Sequence, residues 1–396
     1  DGLTLEPGQS TPVIYTPGST VTYYFDTDAR AWTDTEQAAV RSAWEAWDRL
    51  INLNIEETSD RAQATVLMQI SDLPEDAAAE ATAPVDQVVP ATNKTNVNGN
   101  ALQYIDLGGD SYLTLLHEIG HNLGFYHPHN DTTFPGIANG EEQNKGTLNA
   151  NQHIFTVMGY VVGWDQQPIQ DLSFGAAMTP MVFDIAAAQY AYGAAEANTG
   201  DDIYTIPTQN QIGTGWTAIW DTGGTDTISA AQSTQATTID LRAATLQGDT
   251  PGGHVSWTGG IVGGFTIAQG AVVENAVGGS AGDTIIGNGS SNVFTGGGGN
   301  DVLSGGGGAD TANYENARSG YTVSINQNGT IEIVDRNGQD GSDTLTSIEA
   351  ARFSDQAMDF TQFISTASLS ANQFTSLAEM YTAYFNRAAD AEGLYF

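Results

Sequence analysis

The stretch His117-Glu118-Ile119-Gly120-His121-Asn122-Leu123-Gly124-Phe125-Tyr126-His127 decides how this chain is read. An α-helix repeats about every 3.6 residues, so His117 and His121 share one face a turn apart and can reach a single metal ion. Glu118 projects beside them, where a carboxylate can hold a water against the metal without being a ligand itself. Gly124, with no Cβ, can take positive φ, end the helix and turn the chain back, which delivers His127 as third ligand. A bare H-E-x-x-H arises by chance far more easily than this longer pattern does. Tyr112, Leu113, Leu115, Leu116, Ile119 and Leu123 supply the apolar positions of the helix, with Asp110 or Ser111 as the expected N-cap. His129, His153 and His254 lack partners at ligand spacing and read as ordinary polar residues.

Downstream, Thr156-Val157-Met158-Gly159-Tyr160 places a methionine and a tyrosine in an expected tight turn. The helix followed by such a turn is the metzincin pattern. With Pro128 directly after His127, the chain resembles the serralysins, the secreted, calcium-dependent branch of that group. Their turn is usually S-x-M-S-Y, so Thr156 and Gly159 depart from the common form while Met158 and Tyr160 match it. The resemblance implies that Met158 forms an apolar floor beneath zinc. It implies that Tyr160 is a zinc ligand able to swing off and donate a hydrogen bond to the reacting oxyanion. Met178 to Gln189 resembles the serralysin helix that backs the zinc site; by its residues alone it is an alanine-rich amphipathic helix.

The chain of 396 residues is long enough for more than one core. Its 11 basic and 47 acidic side chains give a formal charge of -36, which repels nucleic acid and anionic membranes and suits a saline or calcium-rich setting. There is no cysteine, so disulfides contribute nothing. No apolar run approaches the roughly 20 residues that span a bilayer, so membrane insertion is not expected. The start, Asp1-Gly2-Leu3-Thr4, is neither a signal peptide nor an initiator methionine, and the chain is expected to begin after processing. The resemblance implies export from a Gram-negative cell by a one-step (type I) exporter, hence an extracellular protein; a marine or other saline source is the expectation from the acidic charge alone.

Three regions follow from the pattern along the chain. Residues 1–197 read as an α+β metzincin peptidase domain: a strand over Val21–Phe25, a helix from Thr35 to about Leu50 opened by a Thr33/Glu36 capping box, and strands over Leu53–Ile55 and Thr65–Ile70. Pro74 to Asn100 reads as irregular structure near the cleft. Residues 198–362 read as an all-β domain with nonapeptide repeats over 278–313, a parallel β-roll of the RTX type. Position six of the repeat holds Asp283, Asn292, Asp301 and Asp310, and position eight holds Ile285, Phe294, Leu303 and Ala312. The carboxylates, with backbone carbonyls of the turn glycines (Gly279, Gly297, Gly299, Gly306, Gly308), offer the hard oxygens that Ca²⁺ prefers, while the apolar position packs coil on coil.

By resemblance to serralysin calcium loops, Gly200, Asp202, Asp221, Gly223, Gly224 and Asp226 form an earlier calcium site, and Glu274 is a ligand just before the roll. Asp335, Asp340 and Asp343 could lend a further one. Residues 363–396 resemble the opening of a helical domain of bacterial exported proteins, cut short.

The chemistry expected is peptide hydrolysis at one Zn²⁺ held by His117, His121, His127 and Tyr160, with Glu118 and Tyr160 catalytic and several structural Ca²⁺ ions. The partners expected are protein or peptide substrates and, as one an enzyme of this kind can have, a proteinaceous inhibitor; the chain itself is expected to be a monomer. The rival reading is a non-catalytic calcium-binding surface or adhesion protein with a structural zinc site. A carbohydrate hydrolase on the same roll lacks any identifiable carboxylate pair.

Overall fold

The computed structural model describes residues 15–74, 77–81, 93–130, 134–248, 250–326 and 328–361. It has few helices and extensive, largely parallel sheets. Two compact units are present. One holds the described residues up to Asp202 together with Ile206–Gly224 and Ala243–Val272; the other holds Ile203–Thr205, Thr225–Arg242 and the described residues from Val273 onward. The expected helical segment at 363–396 lies outside the described residues.

In the first unit, strand β1 (Thr20–Asp26) alternates so that Val21, Tyr23 and Phe25 are buried, the period of a pleated strand. It pairs in parallel with β2 (Asn54–Glu57) on one side and β3 (Val66–Ser71) on the other. Helix α1 (Asp34–Asp48) starts at the capping box that the sequence announces: Glu36 N donates to Thr33 Oγ1 at 3.3 Å and Thr33 N to Glu36 Oε2 at 2.8 Å. Its buried face carries Val40, Ala43, Trp44 and Trp47.

The region expected to be irregular contains two strands. β4 (Ala79–Ala81) forms the sheet edge, antiparallel to β5 (Asn93–Asn98), which pairs in parallel with β3. Asn93-Lys94-Thr95-Asn96-Val97-Asn98 is polar in composition, yet Asn93, Thr95, Val97 and Asn98 are buried. The sheet backbone satisfies this strand, so pairing outweighs its low β-propensity.

Helix α2 (Asp110–Asn122) is buried along almost its whole length. Its N-cap is Gly109, with no side-chain cap hydrogen bond, rather than Asp110 or Ser111. The Ser111 hydroxyl is engaged elsewhere: it donates to Ala101 O and accepts from Tyr104 N, pinning the loop that enters the helix. Trp47 fastens α1 to α2, donating Nε1–H to Leu116 O at 3.1 Å and stacking on Phe125 with centroids 5.5 Å apart. Truncating a fully buried tryptophan of this kind costs about 3–5 kcal/mol. Helix α3 (Val182–Tyr192) closes the layer, and Tyr192 donates its hydroxyl to Leu123 O at 2.6 Å, just past the end of α2.

The second unit is built on short strands. Thr284–Ile286 pairs in parallel with Val302–Ser304, and Val293–Thr295 with Thr311–Asn313, so alternate repeats feed alternate sheets. Ile285, Phe294, Leu303 and Ala312 are all buried between them. The sheets run past the repeats. Thr227–Ser229 and Asn275–Val277 extend one side, while Ser342–Thr346 and Ala350–Arg352 continue the stacks beyond the last repeat. Gly297 has φ +95°, and a Cβ there would collide with the carbonyl oxygen of Gly279 in the coil below, so only glycine fits.

Candidate metal centre

Helix α2 presents His117 and His121 one turn apart, and Gly124, at φ +92°, reverses the chain behind them. The three imidazoles converge. Nε2 of His117 lies 3.0 Å from Nε2 of His127 and 3.1 Å from that of His121, and the His121–His127 distance is 3.0 Å. The outer nitrogens fix the tautomers: His117 Nδ1 donates to Val157 O at 2.7 Å and His121 Nδ1 to Phe125 O at 2.7 Å. His127 Nδ1 meets Asn130 Oδ1 at 2.6 Å. Each Nε2 therefore points a lone pair at the same spot, an arrangement that repels itself unless a cation lies between. A tetrahedral zinc with Zn–N bonds of about 2.0–2.1 Å asks for ring nitrogens roughly 3.3 Å apart, close to what the three rings offer.

Electrostatics agree with that fit. Burial, with the neighbouring imidazoles as the next cause, holds His117 well below the usual histidine range and His127 down to about 4. The rings are thus neutral, the form that binds metals. Glu118 is buried, which lifts its carboxyl to about 7, while the Ala81 backbone pulls weakly the other way. Its Oε2 has no hydrogen-bond partner. Among such buried atoms this one is an acceptor on the histidine helix, where it can take a hydrogen bond from a water. Tyr160 Oη lies 3.0 Å from His127 Nε2, and the side chain is 37% exposed.

Met158 is fully buried and faces α2 at Gly120, where any Cβ would strike its sulfur. Its turn is held by groups the sequence reading did not single out. Asp184 of α3 accepts from Thr156 Oγ1 at 2.7 Å, Val157 N at 2.7 Å and Met181 N at 2.8 Å. Burial pushes this carboxyl up to about 7 despite those bonds. Thr156, the departure from serine, keeps the hydroxyl that this contact uses. His153 donates Nε2–H to Gly159 O at 2.8 Å and so clamps the far side of the turn. His129 packs against His127 and Tyr160. Neither belongs to the converging triad, but both are buried: His153 is 6% exposed and His129 5%. An aspartate three residues into an alanine-rich helix, next to a Met-bearing turn, was the one available signal.

The calcium candidates fall into both units. In the first, Asp202 and Asp221 bring carboxylate oxygens within 4.8 Å of each other, beside Gly200, Gly223 and Gly224 in the chain. Asp226 belongs to the second unit, where its N–H donates to Glu274 Oε2 at 2.9 Å. In the roll, carboxylates form ladders. Asp283 Oδ1 accepts from Thr237 N, Asp301 Oδ1 from Asp283 N and Asp343 Oδ1 from Asp301 N, at 2.7, 2.8 and 3.0 Å. On the other side Asn292 N donates to Asp310 Oδ1 at 2.7 Å, and Asp310 N to Glu349 Oε2 at 2.8 Å. The second oxygens of Asp301 and Asp310 are buried without partners. Burial, followed by neighbouring carboxylates, raises Asp301 to about 7. These oxygens suit a hard cation. Asp335 does something else: it accepts from Asn337, Gln339 and Asp340 N at 2.8, 2.8 and 3.2 Å and caps its own turn.

Residues 183–391, just over half of the chain, match the family model described as Peptidase M10 serralysin C terminal. Serralysin from Photorhabdus laumondii is 32% identical over 275 residues, covering 64% of this chain and 53% of that protein. Serralysin from Proteus mirabilis is 35% identical over 196 residues, covering 46% of this chain and 36% of the relative. Metallopeptidase AprA from Pseudomonas marginalis is 36% identical over 197 residues, covering 46% and 38%. A histidine triad, two members on a buried helix and the third past its end, and a glycine-rich β-roll thus sit in a chain that belongs to the serralysin family of metalloproteases. The chain spans about half the length of the curated relatives it matches. Among the described residues, no helix is long and apolar enough to cross a membrane.

Proposed function

We propose that this chain is a secreted zinc-dependent endopeptidase of metzincin architecture that hydrolyses peptide bonds in proteins and is stabilised by calcium in its β-roll. One observation carries the reading: the Nε2 atoms of His117, His121 and His127 converge at 3.0–3.1 Å beside the buried, unpartnered Oε2 of Glu118. Zinc held there supplies a Lewis acid and lowers the pKa of water at the site toward about 7. Glu118 Oε2 takes the proton of the attacking water and returns it to the leaving amine nitrogen, so one carboxylate serves as base and then as acid. Burial raises its carboxyl while the cation would favour its charged form, and these opposing influences suit a group that takes up a proton and gives it back.

Tyr160 serves as a fourth ligand in the resting state and, once substrate enters, donates its hydroxyl to the carbonyl oxygen that gathers negative charge. Burial, then the charges of Glu118 and Glu142, raise the phenol's pKa in the metal-free site. β4, at the edge of the sheet, offers backbone groups to which an extended substrate can add as a further strand. A buried carboxylate with an open oxygen counts against the rival reading of a structural zinc in a surface protein, which has no use for it. Cleavage of an unfolded protein such as casein by the calcium-loaded chain is expected, stopped by a zinc chelator and restored by zinc. A zinc- and calcium-loaded chain that cleaves no unfolded protein contradicts the proposal.

A further inference from the structure

His117 and His121 each lean on a main-chain carbonyl, but His127 is held differently. Its Nδ1 partner is the amide side chain of Asn130, which is exposed. A second constraint on its ring is His129, which is buried. The two imidazoles lie parallel within 7°, with centroids 4.7 Å apart. The Tyr160 ring completes a triangle, 4.7 Å from His127 and 4.8 Å from His129. Pro128 lies between the two histidines and fixes its own φ, so the rings leave a stiff piece of backbone.

His129 is 5% exposed, and its Nδ1 is buried with no hydrogen-bond partner. An orphaned buried nitrogen is costly, so hydrogen bonding through Nδ1 is not what the position gains from an imidazole. A flat ring of the right size is.

We infer that His129 is a positioning residue: its ring holds the His127 imidazole and the Tyr160 phenol in register with His117 and His121. The inference rests on the reading of the triad as a zinc site. Outer groups that hydrogen-bond a ligand act on a metal by restricting the ligand's orientation, and their loss typically weakens metal binding about tenfold or more; a stacked ring restricts the same orientation by contact.

The test compares the parent chain with His129→Ala and His129→Phe, all with calcium present. One readout is the rate of zinc release to a chromophoric chelator. The other is the phenolate-to-Cu(II) charge-transfer absorption of the copper-substituted protein, which reports whether Tyr160 Oη reaches the metal. His129→Ala is expected to release zinc about tenfold faster or more and to weaken the absorption. His129→Phe, which keeps a flat ring, is expected to behave as the parent does. Equal release and absorption in the parent and a folded His129→Ala overturn the inference, as does a loss in His129→Phe equal to that in His129→Ala. If His129→Ala does not fold, His129→Leu, apolar but not planar, takes its place. A parent chain that holds no zinc overturns the zinc reading itself and is recognised before any substitution is compared.

Discussion

His117 Nδ1 sits 2.7 Å from the carbonyl oxygen of Val157, whose own amide nitrogen sits 2.7 Å from Asp184 Oδ2. One residue of the Met158 turn therefore links the histidine helix to α3. The orientation of a metal-facing imidazole depends on a buried carboxylate that never touches it. Thr156→Val removes one of the donors to Asp184 and leaves a buried oxygen short of a partner, a loss of about 1–3 kcal/mol. Denaturant unfolding of the metal-free chain is expected to show it, and Thr156→Ser is expected to stay near the parent. A Thr156→Val chain as stable as the parent would remove Asp184 from the account.

Glu118→Gln keeps the shape of the side chain but cannot shuttle a proton. Its zinc content is expected to match the parent's, while peptide cleavage falls by roughly 10²–10⁴-fold. Unchanged cleavage with zinc confirmed by metal analysis would exclude Glu118 as the proton carrier.

The histidines set an acid limit. His127 and His153 are held down to about 4 by burial, against 6.5 for the ordinary side chain. A depressed pKa in the fold gives stability that is present above about 6.5 and lost as pH falls through about 4, because the unfolded chain takes up protons first. Zinc retention is expected to fall over that window, since protons and zinc compete for the same nitrogen at His127. The buried carboxyls raised to about 7 act in the opposite direction over the same range, so the histidine contribution is read as a difference: His153→Gln, which cannot take up the proton, is expected to lose less melting temperature than the parent between pH 6.5 and 4. An equal change in the two proteins would contradict the buried, neutral state of the His153 ring.

The roll carries the opposite sign. Asp301 and Asp343 are raised to about 7 by burial, so without calcium their contribution is present below the ordinary carboxylate value and is lost as pH rises through 7. Calcium binds the ionised form and removes that loss. Added millimolar calcium is therefore expected to raise the melting temperature of the full chain more at pH 8 than at pH 5, and Asp301→Ala is expected to shrink the difference. An equal calcium effect at both values would sink the ladder as the binding element.

Local patterns were legible in the sequence wherever the physics is local. The spacing of His117, His121 and Gly124, the capping box at Thr33 and the register of Ile285, Phe294, Leu303 and Ala312 all follow from neighbours a few residues apart. What escaped depends on distant partners. β5 is polar in composition and is a strand because β3 and β4 flank it. Ser342–Thr346 falls in a stretch, 331–353, that reads as β, but with no glycine period nothing in it announces that it stacks in register on Val302–Ser304 and sets Asp343 against Asp301. His129 and Asp184 have meaning only beside Tyr160 and Val157, contacts that no periodicity encodes.

The most direct test of the central claim is zinc stoichiometry by metal analysis of the purified full chain, set beside His117→Ala, His121→Ala and His127→Ala. The account predicts one tightly held zinc per parent chain and its loss or severe weakening in each variant that remains folded. A parent chain without zinc, or folded variants that retain it at full stoichiometry, would contradict it.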